Sequence, residues 1–196
     1  MNYSNSTAPS TSEQFNKVYS SPLAPWAWGD IRIPKELIEL VKTNNPKTSL
    51  EFGCGLGRFS RFMVNQGIKT TGVDFSSVAI ENAKKRVAND KHKPTFLVGD
   101  VTNLEMIKDQ FDVSYDVGCF HCLNEDGMQK YVSQVYRLLK PGGSHLIWAL
   151  DNSPSDIVLN PEYIAKTFEN GFQLVNSKFS RRRIIASHWY WLVREK

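Results

Sequence analysis

No apolar run in this chain approaches the ~20 residues that a helix needs to cross a bilayer. Nor does it open on a basic segment followed by an apolar one, so neither a membrane span nor a secretory signal is read. Cysteine is scarce. The three present, Cys54, Cys119 and Cys122, are too few for a disulfide framework and suit a reducing compartment, so the cytoplasm is the expected location. Charge of one sign is missing too: the net is +4 over 196 residues, too mild to call for nucleic acid as a partner. There is no internal repeat. With 41% hydrophobic and 22% charged residues, the composition is that of one globular domain with a core of its own. A monomer or weak dimer is expected.

What stands out instead is one glycine-rich stretch, Thr48-Ser-Leu-Glu-Phe-Gly-Cys-Gly-Leu-Gly57. Its first half reads as a strand. Beyond Gly57, Phe59, Phe62 and Met63 are spaced like one face of a helix. Strand, glycine loop and helix together offer backbone N–H groups and the positive end of a helix dipole to a ligand.

Around that stretch the chain alternates strand and helix. Residues 1–20, rich in Ser, Thr and Asn, read as a flexible arm ending in a short helix near Gln14–Val18. A segment over 21–45 holds Pro25-Trp-Ala-Trp-Gly29 and a helix entered at Pro34. A core over 46–150 follows. Ile68–Asp74, Pro94–Asp100, Phe111–Val117 and Ser144–Leu150 read as strands, with Lys140-Pro-Gly-Gly143 ending the helix that Asn124 caps. Over 151–196 come a helix started by Asn160-Pro-Glu and a closing hairpin around Arg181-Arg-Arg183. The fold expected is α/β: a doubly wound, mostly parallel sheet with helices on both faces.

The glycine spacing separates two nucleotide ligands. A dinucleotide loop has the pattern G-x-G-x-x-G; counted from Gly53, its third glycine would fall where Arg58 stands. Here the pattern is G-x-G-x-G, with Glu51 two residues before it. Strand-ending acids accompany the loop. Asp74 lies about 20 residues beyond Gly53, where an acid accepts hydrogen bonds from ribose hydroxyls. Asp100 follows the third strand and Asp116 lies near the end of the fourth. A single such acid is as often a helix cap as a ligand contact, but the set in register points to one ligand crevice.

These motifs resemble those of the class I S-adenosylmethionine-dependent methyltransferases, over roughly Thr48 to Leu150. Glu51-Phe52-Gly53-Cys54-Gly55-Leu-Gly57 resembles the family's first motif, whose loop backbone packs on the methionine part of the cofactor. Gly72-Val-Asp74-Phe75-Ser76 resembles the second, implying Asp74 on the ribose and Phe75 beside the adenine ring. Gly99-Asp100-Val101 resembles the third, implying Asp100 near the adenine amino group and the Val101 backbone near a ring nitrogen. Leu138-Leu-Lys-Pro-Gly-Gly143 resembles the late motif leading into the fifth strand. The resemblance implies S-adenosylmethionine as cofactor, S-adenosylhomocysteine as product, and Asp116 among the cofactor contacts; it also implies a Rossmann-like, seven-stranded sheet whose last strand, supplied by the closing hairpin, is antiparallel.

The acceptor is less legible. Pro25-Trp26-Ala-Trp28-Gly29 resembles the entry segment of the small-molecule thiol, thiopurine and tellurite-resistance methyltransferases, which implies Trp26 and Trp28 in a lid over the pocket. Stapling of the arm onto the sheet is the alternative. Asp116-Val-Gly departs from that group's Asp-Arg-Gly. The run typical of amino-group methylation, Asn/Asp-Pro-Pro-aromatic, is absent. His121 is the one candidate catalytic base, with a pocket-wall role preferred. Cys119-Phe-His-Cys122 lacks the second ligand pair of a zinc site, so no metal is expected. A small-molecule methyltransferase acting on a thiol, then a hydroxyl or amine, is therefore the leading expectation. A cofactor-binding sensor without turnover, or an RNA or protein methyltransferase using the arginine run, is the alternative.

Overall fold

The computed structural model describes residues 11–21, 32–152, 156–182 and 185–196. Seven strands form one sheet: β1 (Thr48–Phe52), β2 (Lys69–Asp74), β3 (Thr95–Val98), β4 (Phe111–Val117), β5 (Leu139–Leu150), β6 (Phe172–Arg182) and β7 (Ile185–Arg194). Their order is β3-β2-β1-β4-β5-β7-β6. The first five pair in parallel, while β7 runs antiparallel to both β5 and β6. The expected α/β sheet is thus the observed one. The strand order reverses between β1 and β4, and open sheets of this type bind ligands at the carboxyl ends of the strands beside that point.

Burial is nearly continuous along the central strands β1 and β4 because the sheet is covered on both faces. Leu146 and Trp148 of β5 pack with Leu37 and Leu40 of α2 (Lys35–Asn44) and with Phe59 and Met63 of α3 (Arg58–Asn65). Ile147 and Ala149 face the other way, towards Met128, Tyr131, Val135 and Leu138 of α5 (Glu125–Leu138) and Ile164 of α6 (Pro161–Thr167). Those four α5 residues recur at three- and four-residue steps, so one stripe of the helix is dry. Each contributes about 1.5–3 kcal/mol by leaving water. Between β2 and β3 runs α4 (Ser77–Arg86), its Ile80 and Ala83 against Phe96.

Two departures from the sequence reading have identifiable causes. Lys140-Pro-Gly-Gly143 is not a turn between helix and strand: α5 ends at Leu138 and β5 begins at Leu139. The irregularity is absorbed inside the sheet, where the β4–β5 register shifts between Phe111 and Val113. A Cβ at Gly143 would lie 2.8 Å from the Asp112 carbonyl oxygen, so only glycine lets the strand pass there. The flexible-arm reading is corrected over α1 (Ser12–Ser20). Thr11 and Gln14 close a capping box at its start, and the helix docks. Asn16 Oδ1 accepts from the Ser76 hydroxyl at 2.6 Å, and Asn82 Nδ2 donates to the Tyr19 carbonyl at 3.1 Å. Composition read the arm as polar; these tertiary hydrogen bonds hold it.

Candidate active site

Gly53, Gly55 and Gly57 all have positive φ, at 69°, 50° and 72°. Gly57 is the most constrained. A Cβ there would sit 2.3 Å from the Phe96 ring and 3.2 Å from Ala83 Cβ, so the loop, α4 and β3 meet without a side chain between them. Gly57→Ala combines about 1–2 kcal/mol of left-handed strain with about 1–3 kcal/mol of overpacking. A thermal melt should show a loss of several degrees.

The loop's amides turn inward, contrary to the expectation that they face a ligand. Cys54 N donates to Val73 O at 2.8 Å, and Gly57 N to Cys54 O at 2.9 Å. Gly55 N donates to Asp74 Oδ2, also at 2.8 Å. A pyrophosphate held by loop amides would compete with all three.

Asp74 lies where the sequence placed it. It ends β2, is 6% exposed, and its second oxygen accepts from Ser76 N at 2.9 Å. Burial pushes its carboxyl above the usual range, while the two amides oppose that shift. Each oxygen retains acceptor capacity. Phe75 beside it is half-buried. Asp100 is exposed, one oxygen tied to Thr102 N and Oγ1 at 2.8 and 2.7 Å, and Val101 is buried behind it.

The remaining acids support rather than face the crevice. Glu51 is 2% exposed and accepts from the Ser60 and Tyr115 hydroxyls; burial pushes it up to about 8. Asp116 is fully buried. Its two oxygens accept from Cys119 N and Phe120 N, both at 2.7 Å, and Tyr131 adds a third bond at 3.1 Å. The Asp116 side chain thereby staples the short turn Phe120–Cys122 to β4. Burial raises it to about 7. Phe52 and Cys54 also send their side chains into apolar clusters, Phe52 to Tyr131 at 4.9 Å and Cys54 to Ile80 and Phe96. Only their backbone remains for a ligand.

Behind Asp116 runs a buried polar chain absent from the sequence reading. Tyr131 Oη lies 3.1 Å from His145 Nε2, and His145 Nδ1 lies 2.8 Å from Ser114 Oγ. With Tyr131 donating to Asp116, the ring donates from Nε2 and accepts from Ser114, which describes a neutral imidazole. Burial agrees, pulling His145 down to about 3. The stapled turn carries Cys119 and His121. Cys119 lies against Gly53, 2.6 Å from where a Cβ would stand. His121 is 8% exposed, its ring 6.0 Å from Trp148.

Tyr19 is the functional candidate that the sequence did not reveal. Its hydroxyl lies 2.7 Å from the position of a Gly55 Cβ. Burial first, then the charge of Asp74, pushes its phenol far up. Phe15 of the same helix meets Phe75 edge-on at 5.1 Å. The capping box was a legible signal for the helix, but nothing in the sequence says where it docks. Trp26 and Trp28 lie outside the described residues. Arg181 is exposed, its guanidinium 5.8 Å from the centre of the Phe179 ring. Among the described residues no group of three or more His, Cys, Asp or Glu is placed to hold a metal, and no helix is long and apolar enough to cross a membrane.

Residues 50–143 match a family model described as a methyltransferase domain. An uncharacterized methyltransferase of Schizosaccharomyces pombe is 26% identical over 117 residues, 60% of this chain and 79% of the relative. A tRNA N(3)-methylcytidine methyltransferase of the same yeast is 32% identical over 117 residues, and the match spans 55% of this chain but only 38% of that protein. Among solved structures, the N-methyltransferase NodS of Bradyrhizobium japonicum, in complex with S-adenosylhomocysteine, superposes with a TM-score of 0.79 at 15% identity, covering 96% of this chain and 100% of that one. Over residues 50–143 this chain is therefore similar to a methyltransferase domain, and its sheet has the Rossmann-like fold of solved S-adenosylmethionine-dependent methyltransferases.

Proposed function

We propose that the protein methylates a small-molecule acceptor, a thiol or similar soft nucleophile first, then a hydroxyl or amine. The observation that carries the cofactor half of this reading is Asp74, a buried acceptor-only carboxylate fixed to the glycine loop by Gly55 N at 2.8 Å. It suits the two ribose hydroxyls. Phe75 and Asp100 suit the adenine, and the backbone at Gly53 and Gly55 suits the methionine part. The inward-turned amides of Cys54, Gly55 and Gly57 fit a ligand without a pyrophosphate. When bound, S-adenosylmethionine supplies a methyl group on a positively charged sulfur, already activated for in-line displacement.

The protein's task is then to hold an acceptor in line and exclude water. Tyr19 and Phe15 cover the loop and Phe75 from one side. Cys119, His121 and Trp148 stand where an acceptor would approach from the other. Cys119 and Trp148 would give such an acceptor a mostly apolar surround. On this reading Tyr19→Ala, which uncovers Gly55, lowers the affinity for S-adenosylhomocysteine about tenfold in calorimetric titration, equivalent to about 1.4 kcal/mol.

Parallel titration with S-adenosylmethionine, S-adenosylhomocysteine and NAD tests the cofactor. Binding of the first two alone is expected; binding of NAD alone would end the reading. A panel of thiols, phenols and amines, read by mass spectrometry for methyl transfer, then tests the acceptor. The similarity to a tRNA methyltransferase favours nucleic acid as the second reading. That reading requires salt-dependent retention on tRNA.

A further inference from the structure

A second histidine stands at the ligand edge of the sheet, in the arrangement of a general base. Because β7 runs antiparallel to β5, its early residue His188 pairs with Ala149 near the end of β5. His188 Nδ1 lies 2.7 Å from Asp151 Oδ1. Asp151 directly follows β5, and its own backbone is pinned: its N donates to Ala186 O at 3.1 Å, and its carbonyl accepts from Leu159 N at 2.7 Å. His121 meets the same strand end one residue earlier, where Leu150 N donates to its Nδ1 at 3.4 Å. Consecutive Cα atoms are about 3.8 Å apart, so the two imidazoles engage neighbouring residues at the edge where such sheets bind ligands.

The hydrogen bonds give the two rings opposite chemistry. At His121 the lone pair on Nδ1 faces a backbone N–H, so the neutral ring carries its proton on Nε2 and presents a donor. At His188 a carboxylate faces Nδ1, so that nitrogen carries the proton and Nε2 keeps the lone pair. Among the described residues that Nε2 has no hydrogen-bond partner. The side chain is 17% exposed, partly sheltered but open to a small molecule. The ring is held flat by Tyr190, stacked at 5.7 Å and 19°, and by Phe179, edge-on at 5.3 Å. Phe179 is itself 51% exposed, an apolar wall beside the free nitrogen. The charged groups around this ring are Asp151, Arg181 on β6 beside Phe179, and Glu162 on α6, whose field reaches Tyr190.

We propose that His188, oriented by Asp151, is the catalytic base for acceptors that arrive protonated, a role distinct from the pocket wall formed by His121. The inference rests on the methyltransferase reading. As the acceptor's electron pair forms its bond to the methyl carbon, its proton passes to His188 Nε2, and the pair from the broken carbon–sulfur bond stays on sulfur. Asp151 stabilises the imidazolium until the proton leaves to solvent.

The test compares wild type, His188→Gln and Asp151→Asn, each loaded with S-adenosylmethionine, on catechol and on thiophenol across pH. Thiophenol is largely ionised near neutrality and needs no base; catechol does. With catechol, His188→Gln should lose at least about a hundredfold in kcat. With thiophenol it should change only severalfold. Asp151→Asn should fall between. Affinity for S-adenosylhomocysteine should be unchanged in both variants, and its absence in wild type would strike the cofactor reading instead. Nitrogen NMR of the S-adenosylhomocysteine complex gives a readout independent of turnover. His188 should carry its proton on Nδ1 in wild type and shift towards Nε2 in Asp151→Asn, and catechol should move its ring signals. An unaltered pH profile in His188→Gln, equal losses on both acceptors, an Nε2 proton in wild type, or ring signals unmoved by catechol would each overturn the assignment.

Discussion

Asp74→Ala should lower the affinity for S-adenosylhomocysteine by at least about a hundredfold while leaving the chain folded. A hydrogen bond to a charged acceptor contributes about 1.5–3 kcal/mol, and two ribose hydroxyls on one carboxylate give about 3 kcal/mol at the low end, a factor of about a hundred or more. The structure adds an indirect loss. Asp74 Oδ2 anchors Gly55 N, so without it the loop that should flank the methionine part keeps only its bond from Cys54 N to Val73 O as a tie to β2. Two amides, Gly55 and Ser76, would lose their buried acceptor, at about 1–3 kcal/mol each. Removing a carboxyl that burial already disfavours offsets part of that. A melting point lower by some degrees is therefore compatible with the prediction, but unchanged affinity in calorimetry is not. Asp74→Asn, which keeps one acceptor oxygen, should fall between.

Stability of the ligand-free protein should decline as pH rises from about 5 to about 8. Glu51 is pushed up to about 8 and Asp116 to about 7, in both cases chiefly by burial. Their folded-state pKa values therefore lie above those of the unfolded chain. Between the two values the folded state binds more protons, so the contribution is full below the ordinary carboxyl range and is lost as pH rises through the folded value. Each group supplies a slope of up to about 1.4 kcal/mol per pH unit. His145, pulled down to about 3 by burial, acts in the opposite sense. Its contribution is present above the ordinary histidine value and fades as pH falls towards 3, so it flattens the acid side without reversing the alkaline trend. Glu51→Gln should remove the larger share of the decline, and melting curves at several pH values in wild type and variant measure it directly. Equal slopes in the two proteins would mean that the Glu51 carboxyl is ionised in the fold.

The candidate site divides by how far apart in the chain its parts lie. The glycine loop, Asp74, Phe75 and Asp100 were legible because each belongs to a local strand-to-loop junction, where spacing alone fixes the edge of the sheet. Asp116 belongs to the same kind of junction. It does lie near the end of β4, but its oxygens close on Cys119 N and Phe120 N, and only the path of the following turn decides whether an acid at a strand end faces a ligand or its own backbone. Lys140–Gly143 were misread for a related reason: glycines near a helix end usually mark a turn, and here they carry a strand past Asp112.

The sequence by itself determined the sheet, its parallel core, its reversed last strand and the class of nucleotide ligand. The parallel core follows from hydrophobic period, which operates over a few residues and holds in any packing that buries both faces; the reversed last strand and the ligand class follow from the resemblance of its motifs to a known family. Tertiary structure alone decided the rest. It brought Tyr19 over Gly55, linked Asp116 through Tyr131 and His145 to Ser114, and set His188 against Asp151 at the end of β5. Each of these contacts joins elements distant in the chain, and each depends on which face a residue presents after the strands have been ordered. An isolated histidine or tyrosine carries no such information until a carboxylate or a glycine loop is folded against it.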